Sequence, residues 1–283
     1  MNLKKFPISI VVLTYNESLN LDKCLNSVYD YVDEIVIVDS DSTDNTLEVA
    51  SKFNSIIFSN KFETHNKQWL WALENIKLKN EWVMGLDADQ AFTKELWDEI
   101  SLLFNGNLEN VDGIYINRKY IFRGQWIKHG GMFPKYLLKL FKKNKVLIDE
   151  NELVDHHFYI KGNTINTKNY IVEENYKENN LSFWMSKHRK YAELFANEII
   201  YSKSNKVITP DYKGNPDQQS LYLKSLYSKF PLFVRPVLFF IYRYFIKFGI
   251  LDGKQGLIFH TLHSLWFRFI IDKKIYNLKK NKR

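Results

Sequence analysis

Four runs rich in β-branched and large apolar residues, Ile8–Leu13, Glu34–Val38, Ser55–Phe58 and Trp82–Leu86, punctuate the first hundred positions of this chain. Each is separated from the next by a stretch of helical periodicity. Ile8–Leu13, which stays apolar rather than alternating with polar residues, fits a strand covered on both faces, Glu34–Val38 reads as a second buried strand, and Ser55–Phe58 as a short one. The first intervening stretch opens at Ser18 and sets Leu19, Leu21, Leu25 and Val28 on one usable apolar face. Further helices are predicted over Thr43–Phe53, His65–Ile76 and Thr93–Phe104. Strands alternating with helices of this length require right-handed βαβ crossovers and a mostly parallel sheet. The predicted fold class is α/β.

After Asn110 the pattern loosens. Gly113–Phe122 reads as a strand, and HGGMFPKYLLKLF passes through a Gly/Pro turn into another. Leu181–Ser202 is a strong helical segment, and the polar stretch Asn205–Gln219, with two prolines, reads as a boundary. The single cysteine, Cys24, excludes an internal disulfide framework and Cys-built zinc or iron–sulfur sites. The apolar run at the N-terminus is short and lacks a small-residue cleavage site, so it reads as a strand and a cytosolic address is expected.

Ligands of open parallel sheets bind outside the carboxyl ends of the strands. Here those ends carry the polar and acidic groups. The first strand runs into Thr14-Tyr15-Asn16-Glu17, the second into Asp39-Ser40-Asp41-Ser42-Thr43-Asp44, and the fourth into Asp87-Ala88-Asp89. A continuing strand would bring Asp87 and Asp89 to one side, two oxygen ligands for one hard cation. Mg²⁺ or Mn²⁺ would keep positions open for a substrate diphosphate. Taken singly, Asp-x-Asp reads equally as a turn, and Asp39–Asp44 as a loop capping the next helix through Ser42 or Thr43. Three acidic strand ends on one sheet edge carry the argument together.

ISIVVLTYNE, VDSDSTDNT and EWVMGLDAD, at this spacing, resemble the three signatures of family-2 glycosyltransferases with the GT-A fold. HGGMFPKYLLKLF, ELVDHHF, LSFWMSKHRKYA and LDGKQGLIFHTLHSLWFRF are similar to a bacterial branch that builds lipopolysaccharide core, O-antigen or capsule. The resemblance implies a Rossmann-like sheet flanked by helices, a nucleotide-sugar donor with uridine the expected base, and inversion at the anomeric carbon. It places Thr14, Tyr15 and Glu17 in the loop holding the base, with Tyr15 a stacking surface, and Asp39 as the acid that hydrogen-bonds the base. Asp87 then faces the ribose, Asp89 the metal, and Lys67 lies where a basic group often approaches the donor. Asp155 matches the general base, with His156 beside it in place of the more usual acid or amide. Lys139 stands where many relatives carry arginine, and Ser40-Asp41 replaces the commoner pairing with glycine. His129, Lys187 and His188 are further candidates for phosphate or acceptor contacts. On this reading residues 1–204 form the catalytic domain, with 1–110 binding nucleotide and 111–204 facing the acceptor. Residues 205–220 are a linker, and 221–283 a helical appendage.

The net charge of +8 is unevenly spread. From Leu221 to the end, thirteen Lys/Arg stand against two acids, while the first 220 residues carry a net of −3. The same C-terminal quarter holds fifteen of the 45 Phe, Tyr and Trp. Leu232–Leu251 is strongly apolar, but Arg235, Arg243 and Lys247 interrupt it. A central Arg costs roughly 2.5–3.5 kcal/mol on insertion scales, which disfavours spanning. In the next segment His260, Ser264, Arg268 and Asp272 form a stripe at helical spacing, opposite Leu257, Leu262, Leu265, Phe269 and Ile270. A basic polar face toward water and an aromatic face toward lipid describe an interfacial helix. The expected partners are therefore a nucleotide-sugar donor, a lipid-linked or lipopolysaccharide glycan acceptor, and the anionic inner face of the cytoplasmic membrane. Packing of these helices on protein, including a homo-oligomer, accounts for aromatic stripes equally well. No nucleic-acid motif is present, so no nucleic-acid partner is expected. Two other readings stay open: a sugar nucleotidyltransferase, whose Gly-rich basic phosphate loop is missing after the first strand, and a non-enzymatic membrane- or nucleic-acid-binding module.

Overall fold

The computed structural model describes residues 5–154, 157–201 and 207–281. It divides into two compact units with interleaved segments. One comprises Met1–Arg118, Tyr136–Ile148 and His157–Tyr176; the other Lys119–Lys135, Asp149–His156 and Lys177–Arg283. This division differs from the expected break at 205–220, and the helix there already begins at Pro216, capped by Asn215.

The first unit is built on strands β1 (Phe6–Thr14), β2 (Val32–Asp39), β3 (Ile56–Ser59), β4 (Trp82–Asp87), β5 (Gln90–Phe92) and β6 (Gly113–Phe122), the last running on into the second unit. β7 (Gln125–Trp126) pairs with the end of β6, and β8 (Tyr136–Lys142), β9 (Val146–Ile148), β10 (Phe158–Ile160) and β11 (Thr164–Glu174) follow. The main sheet has the order β3-β2-β1-β4-β8-β6-β11-β5, and β9 and β10 form a separate ribbon. β1, β2, β3 and β4 run parallel; β8 is antiparallel to both β4 and β6.

Both faces of β1, β2 and β4 are covered, as their unbroken apolar runs require, whereas the edge strand β3 leaves Ile56 and Ile57 exposed. Ile8, Ile10 and Val12 join Leu21 and Leu25 of α1 (Leu21–Asn26) and Leu96 and Trp97 of α4 (Lys94–Asn105) in one core. Val11, one position out of phase, faces Trp69 and Ala72 of α3 (His65–Asn75) on the opposite side. Of the predicted apolar face, Leu21 and Leu25 lie on α1 and are buried, Val28 is buried beyond the helix end, and Leu19 precedes the helix and is exposed. α2 (Thr46–Ser51) starts later than predicted, with Asn45 rather than Ser42 or Thr43 at its N-cap, because both of those residues are used in the preceding loop. Gly85 in β4 lies under Phe158 and Trp69, where an added Cβ would come within 2.5 Å and 3.2 Å of their rings.

The second unit is mainly helical: α5 (Leu181–Tyr201), α6 (Pro216–Ser228), α7 (Val234–Ile241), α8 (Gly253–His260) and α9 (Phe267–Asn281), with π-helical turns at Tyr242–Ile246 and Thr261–Trp266. Ala192 and Ala196 of α5 pack against Phe267, Ile271 and Ile275 of α9. The predicted polar stripe does not face solvent. His260, Ser264 and Asp272 are completely buried, while Leu257 and Phe269 are exposed. For Asp272 the reason is its ion-pair and hydrogen-bond partners inside the unit, whereas His260 and Ser264 are buried with no hydrogen-bond partner among the described residues. Asp272 accepts from the Arg235 guanidinium and from the Phe233 N–H at 2.8 Å, and Arg243 donates to the Gly130 carbonyl at 2.6 Å. Among the described residues no helix is long and apolar enough to cross a membrane.

Candidate active site

The parallel register brings three strand ends level: Thr14 pairs with Asp39 and Leu13 with Asp87. The convergence predicted at this edge is therefore present in the backbone. Asp39 is buried, and its carboxylate accepts from the Ser42 N–H at 2.9 Å and from the Thr14 hydroxyl at 3.4 Å. These bonds hold a charged acceptor in one orientation at the mouth of the sheet. Asp41 takes the left-handed backbone (φ 60°) that glycine adopts easily, so the Ser40-Asp41 turn keeps that shape without glycine. Ser59 donates to Asp41 at 3.1 Å.

The loop after β1 is tied to the loop after β2. Asn16, also left-handed (φ 54°), donates its N–H to Ser42 Oγ at 2.8 Å, and its side-chain oxygen accepts from the Thr43 N–H at 2.7 Å. The Glu17 N–H donates to Thr46 Oγ1 at 2.7 Å, and the Ser18 N–H to Asp44 at 3.2 Å. Desolvation would raise the Asp44 pKa, but hydrogen bonds from Thr46 and Ser18 outweigh it and hold the carboxyl down at about 2. Tyr15, which follows the Thr14 paired with Asp39, is 58% exposed.

Asp87 ends β4, and its Oδ2 accepts from the buried Lys139 Nζ of β8 at 2.8 Å. Asp89 does not continue that strand. Ala88 and Asp89 form the turn into β5, so the two acids are positioned by a turn and not by strand alternation. Asp89 Oδ2 accepts from Asn175 Nδ2 at 3.0 Å, and its carbonyl from the Glu174 N–H at 2.9 Å. Among the described residues no group of three His, Cys, Asp or Glu forms a metal cage. The donors present are carboxylates on one turn, hard oxygens that fit Mg²⁺ or Mn²⁺ when diphosphate and water complete the shell.

The other predicted residues lie elsewhere. Lys67 is on the first turn of α3 and pairs with Glu63 at the surface. Asp155 and His156 lie outside the described residues. In the second unit, His129 Nδ1 is 2.6 Å from Asp252, Lys187 pairs with Glu178 at 2.6 Å, and His188 stacks on Trp184 with ring centroids 3.5 Å apart.

Several supporting residues carry no local sequence signal. Asn20 donates to Glu17 at 2.8 Å and lies 3.4 Å from the Asn175 side-chain oxygen, linking the first loop to the partner of Asp89. Gln68 donates to Ser40 at 3.1 Å and accepts from Asn60 at 2.7 Å. Arg118 pairs with Glu173 at 2.9 Å, and Glu173 also accepts from Gln90 at 2.8 Å. Only the pairing of β11 with β5 brings Asn175 to a turn 86 positions earlier.

A sheet of this order, with anchored acids at the ends of β2 and β4, defines the GT-A class of α/β proteins. The glycosyl transferase family 2 model matches residues 9–173, and the chain belongs to that family. An uncharacterized glycosyltransferase of Rickettsia conorii is 37% identical over 97 residues, which is 34% of either chain. The glycosyltransferase SunS of Bacillus subtilis is 36% identical over 90 residues, 31% of this chain and 21% of SunS. The match thus spans about a third or less of these curated relatives. The mannosyltransferase PcManGT of Pyrobaculum calidifontis, solved with GDP-Man and Mn²⁺, shares the fold with a TM-score of 0.50 at 14% identity, over 96% of this chain and 88% of that one.

Proposed function

We propose that this protein is an inverting, metal-dependent hexosyltransferase that moves a sugar from a nucleoside diphosphate donor, uridine the expected base, onto a lipid-linked or lipopolysaccharide glycan. The observation that carries the reading is the pair of anchored acids on one sheet edge, Asp39 held by Ser42 and Thr14, and Asp89 held by Asn175. Asp39 accepts from the base while the Tyr15 ring offers it a stacking face. Asp87, fixed by Lys139, orients the ribose. Asp89 is the residue that would hold Mg²⁺ or Mn²⁺, whose charge would offset that of the departing nucleoside diphosphate. The acceptor hydroxyl oxygen attacks the anomeric carbon from the face opposite the diphosphate. The bond to phosphate oxygen breaks with its electron pair, and the hydroxyl proton passes to the carboxylate of Asp155. The lipid-linked acceptor rests on the resemblance of the segments after residue 128 to surface-polysaccharide enzymes.

The deciding experiment is a thermal-shift panel of uridine, guanosine, cytidine and thymidine diphosphates with and without Mn²⁺, since a ligand bound only by the folded state raises its stability. Stabilisation by one nucleotide that requires metal and disappears in Asp89→Ala supports the reading and names the base. No shift with any nucleotide, in folded protein, overturns it.

A further inference from the structure

The helical unit is turned inside out over one stretch. Between Phe230 and Leu257, Arg235, Arg243 and Asp252 are buried, while Val237, Ile241, Phe245, Ile246, Phe248 and Leu251 are exposed. Ile246 and Leu251 keep 62% and 65% of their surface in contact with solvent. Scattered exposed apolar residues are ordinary, but a contiguous run along α7 and the turn that follows it is not.

Phe248 makes the point locally. Its backbone is left-handed (φ 58°), a conformation that suits glycine or asparagine at a helix end, yet the residue is phenylalanine and is 61% exposed. The strain is not offset by full burial within the chain.

Charge says what covers this face. The two acids after Leu221 are both consumed internally, Asp252 by His129 and Asp272 by Arg235. Lys229, Lys247 and Lys254 remain exposed in and beside the apolar run. The described surface of this segment therefore presents apolar and cationic side chains with no exposed carboxylate. Aromatic and aliphatic tips flanked by lysine suit the boundary between acyl chains and anionic headgroups.

We propose that α7 and the turn through Leu251 dock this protein onto an anionic phospholipid bilayer as an interfacial, non-spanning element. This differs from the interfacial helix expected from sequence, whose polar stripe is interior, and it stands independently of the donor chemistry.

The test is sedimentation of the full chain with vesicles of phosphatidylcholine alone or mixed with phosphatidylglycerol. It is repeated for the variant Phe245→Ser/Ile246→Ser/Phe248→Asn, in which asparagine tolerates the left-handed backbone. The expected result is binding to the phosphatidylglycerol vesicles and not to phosphatidylcholine alone, at least about tenfold weaker in the variant at unchanged melting temperature. Wild-type protein left in the supernatant overturns the proposal. So does undiminished binding of the variant, which would leave only the basic tail adhering. A wild-type dimer in light scattering that the variant splits also overturns it, since a second copy would then cover the face. Nucleotide thermal shifts measured on the same samples report the donor site separately.

Discussion

Asn175 donates its side-chain N–H to Asp89 at 3.0 Å, and its side-chain oxygen lies 3.4 Å from the Asn20 amide that also serves Glu17. Two asparagines thus connect the loop after β1 to the turn after β4. The arrangement fixes the rotamer of the acid proposed to hold the metal, a task usually left to residues behind the ligands.

Asn175→Ala should weaken Mn²⁺-dependent nucleotide binding about 10–100-fold with little loss of fold stability. A Mn²⁺ titration of the nucleotide thermal shift measures this. Wild-type metal affinity in the variant would show that Asp89 needs no such support.

Lys139 is buried and its partner Asp87 is partly open to solvent. Removing the ammonium in Lys139→Met should cost about 1–2 kcal/mol in urea unfolding, less than for a fully buried pair. A double-mutant cycle with Asp87→Asn should recover part of that loss. Additive effects would mean that the pair is not coupled.

Arg235 and Asp272 form an ion pair with both partners buried, and Asp272 also accepts from the left-handed Phe233. Arg235→Met leaves a buried carboxylate uncompensated and should destabilise by about 3–5 kcal/mol. Replacing both, with Asp272→Leu added, should be milder than the sum. Equilibrium denaturation of the three variants decides.

His260 is fully buried with neither ring nitrogen hydrogen-bonded among the described residues. Desolvation, and then the Arg243 charge, lower its pKa to about 4. His263 is likewise held well below its ordinary value, first by desolvation and then by Arg243 and Arg268. Both are neutral in the fold, so below the unfolded value of 6.5 the unfolded chain binds more protons than the native one. Their stabilising contribution is complete above pH 6.5 and falls as pH drops toward 4, by about 1.4 kcal/mol per pH unit for each proton taken up. Urea midpoints measured across that range should show a shallower decline in His260→Phe than in wild type. An unchanged slope would remove His260 from the titration.

The parallel core was readable because burial on both faces writes itself into adjacent residues. Ile8–Leu13 and Glu34–Val38 could hardly be anything else, and the carboxyl ends of an open parallel sheet are where a ligand site is expected. Asp39 and Asp87 are candidates for that reason. The environment of each was not readable. Ser42, Lys139 and Asn175 reach these acids from a loop and two later strands, and no periodicity of β8 or β11 reveals which of their residues meets a carboxylate.

The C-terminal quarter shows the opposite limit. Sequence by itself determined its composition, basic and aromatic, and the helical spacing of His260, Ser264, Arg268 and Asp272. Which side of each helix faces water was decided only by the tertiary structure. A polar stripe lowers the free energy of a helix equally well toward solvent or toward internal partners that satisfy it. Arg235, 37 positions before Asp272, supplies such a partner, as Arg243 does for the Gly130 carbonyl. Once those groups pair inside, the apolar side chains of α7 are left outside.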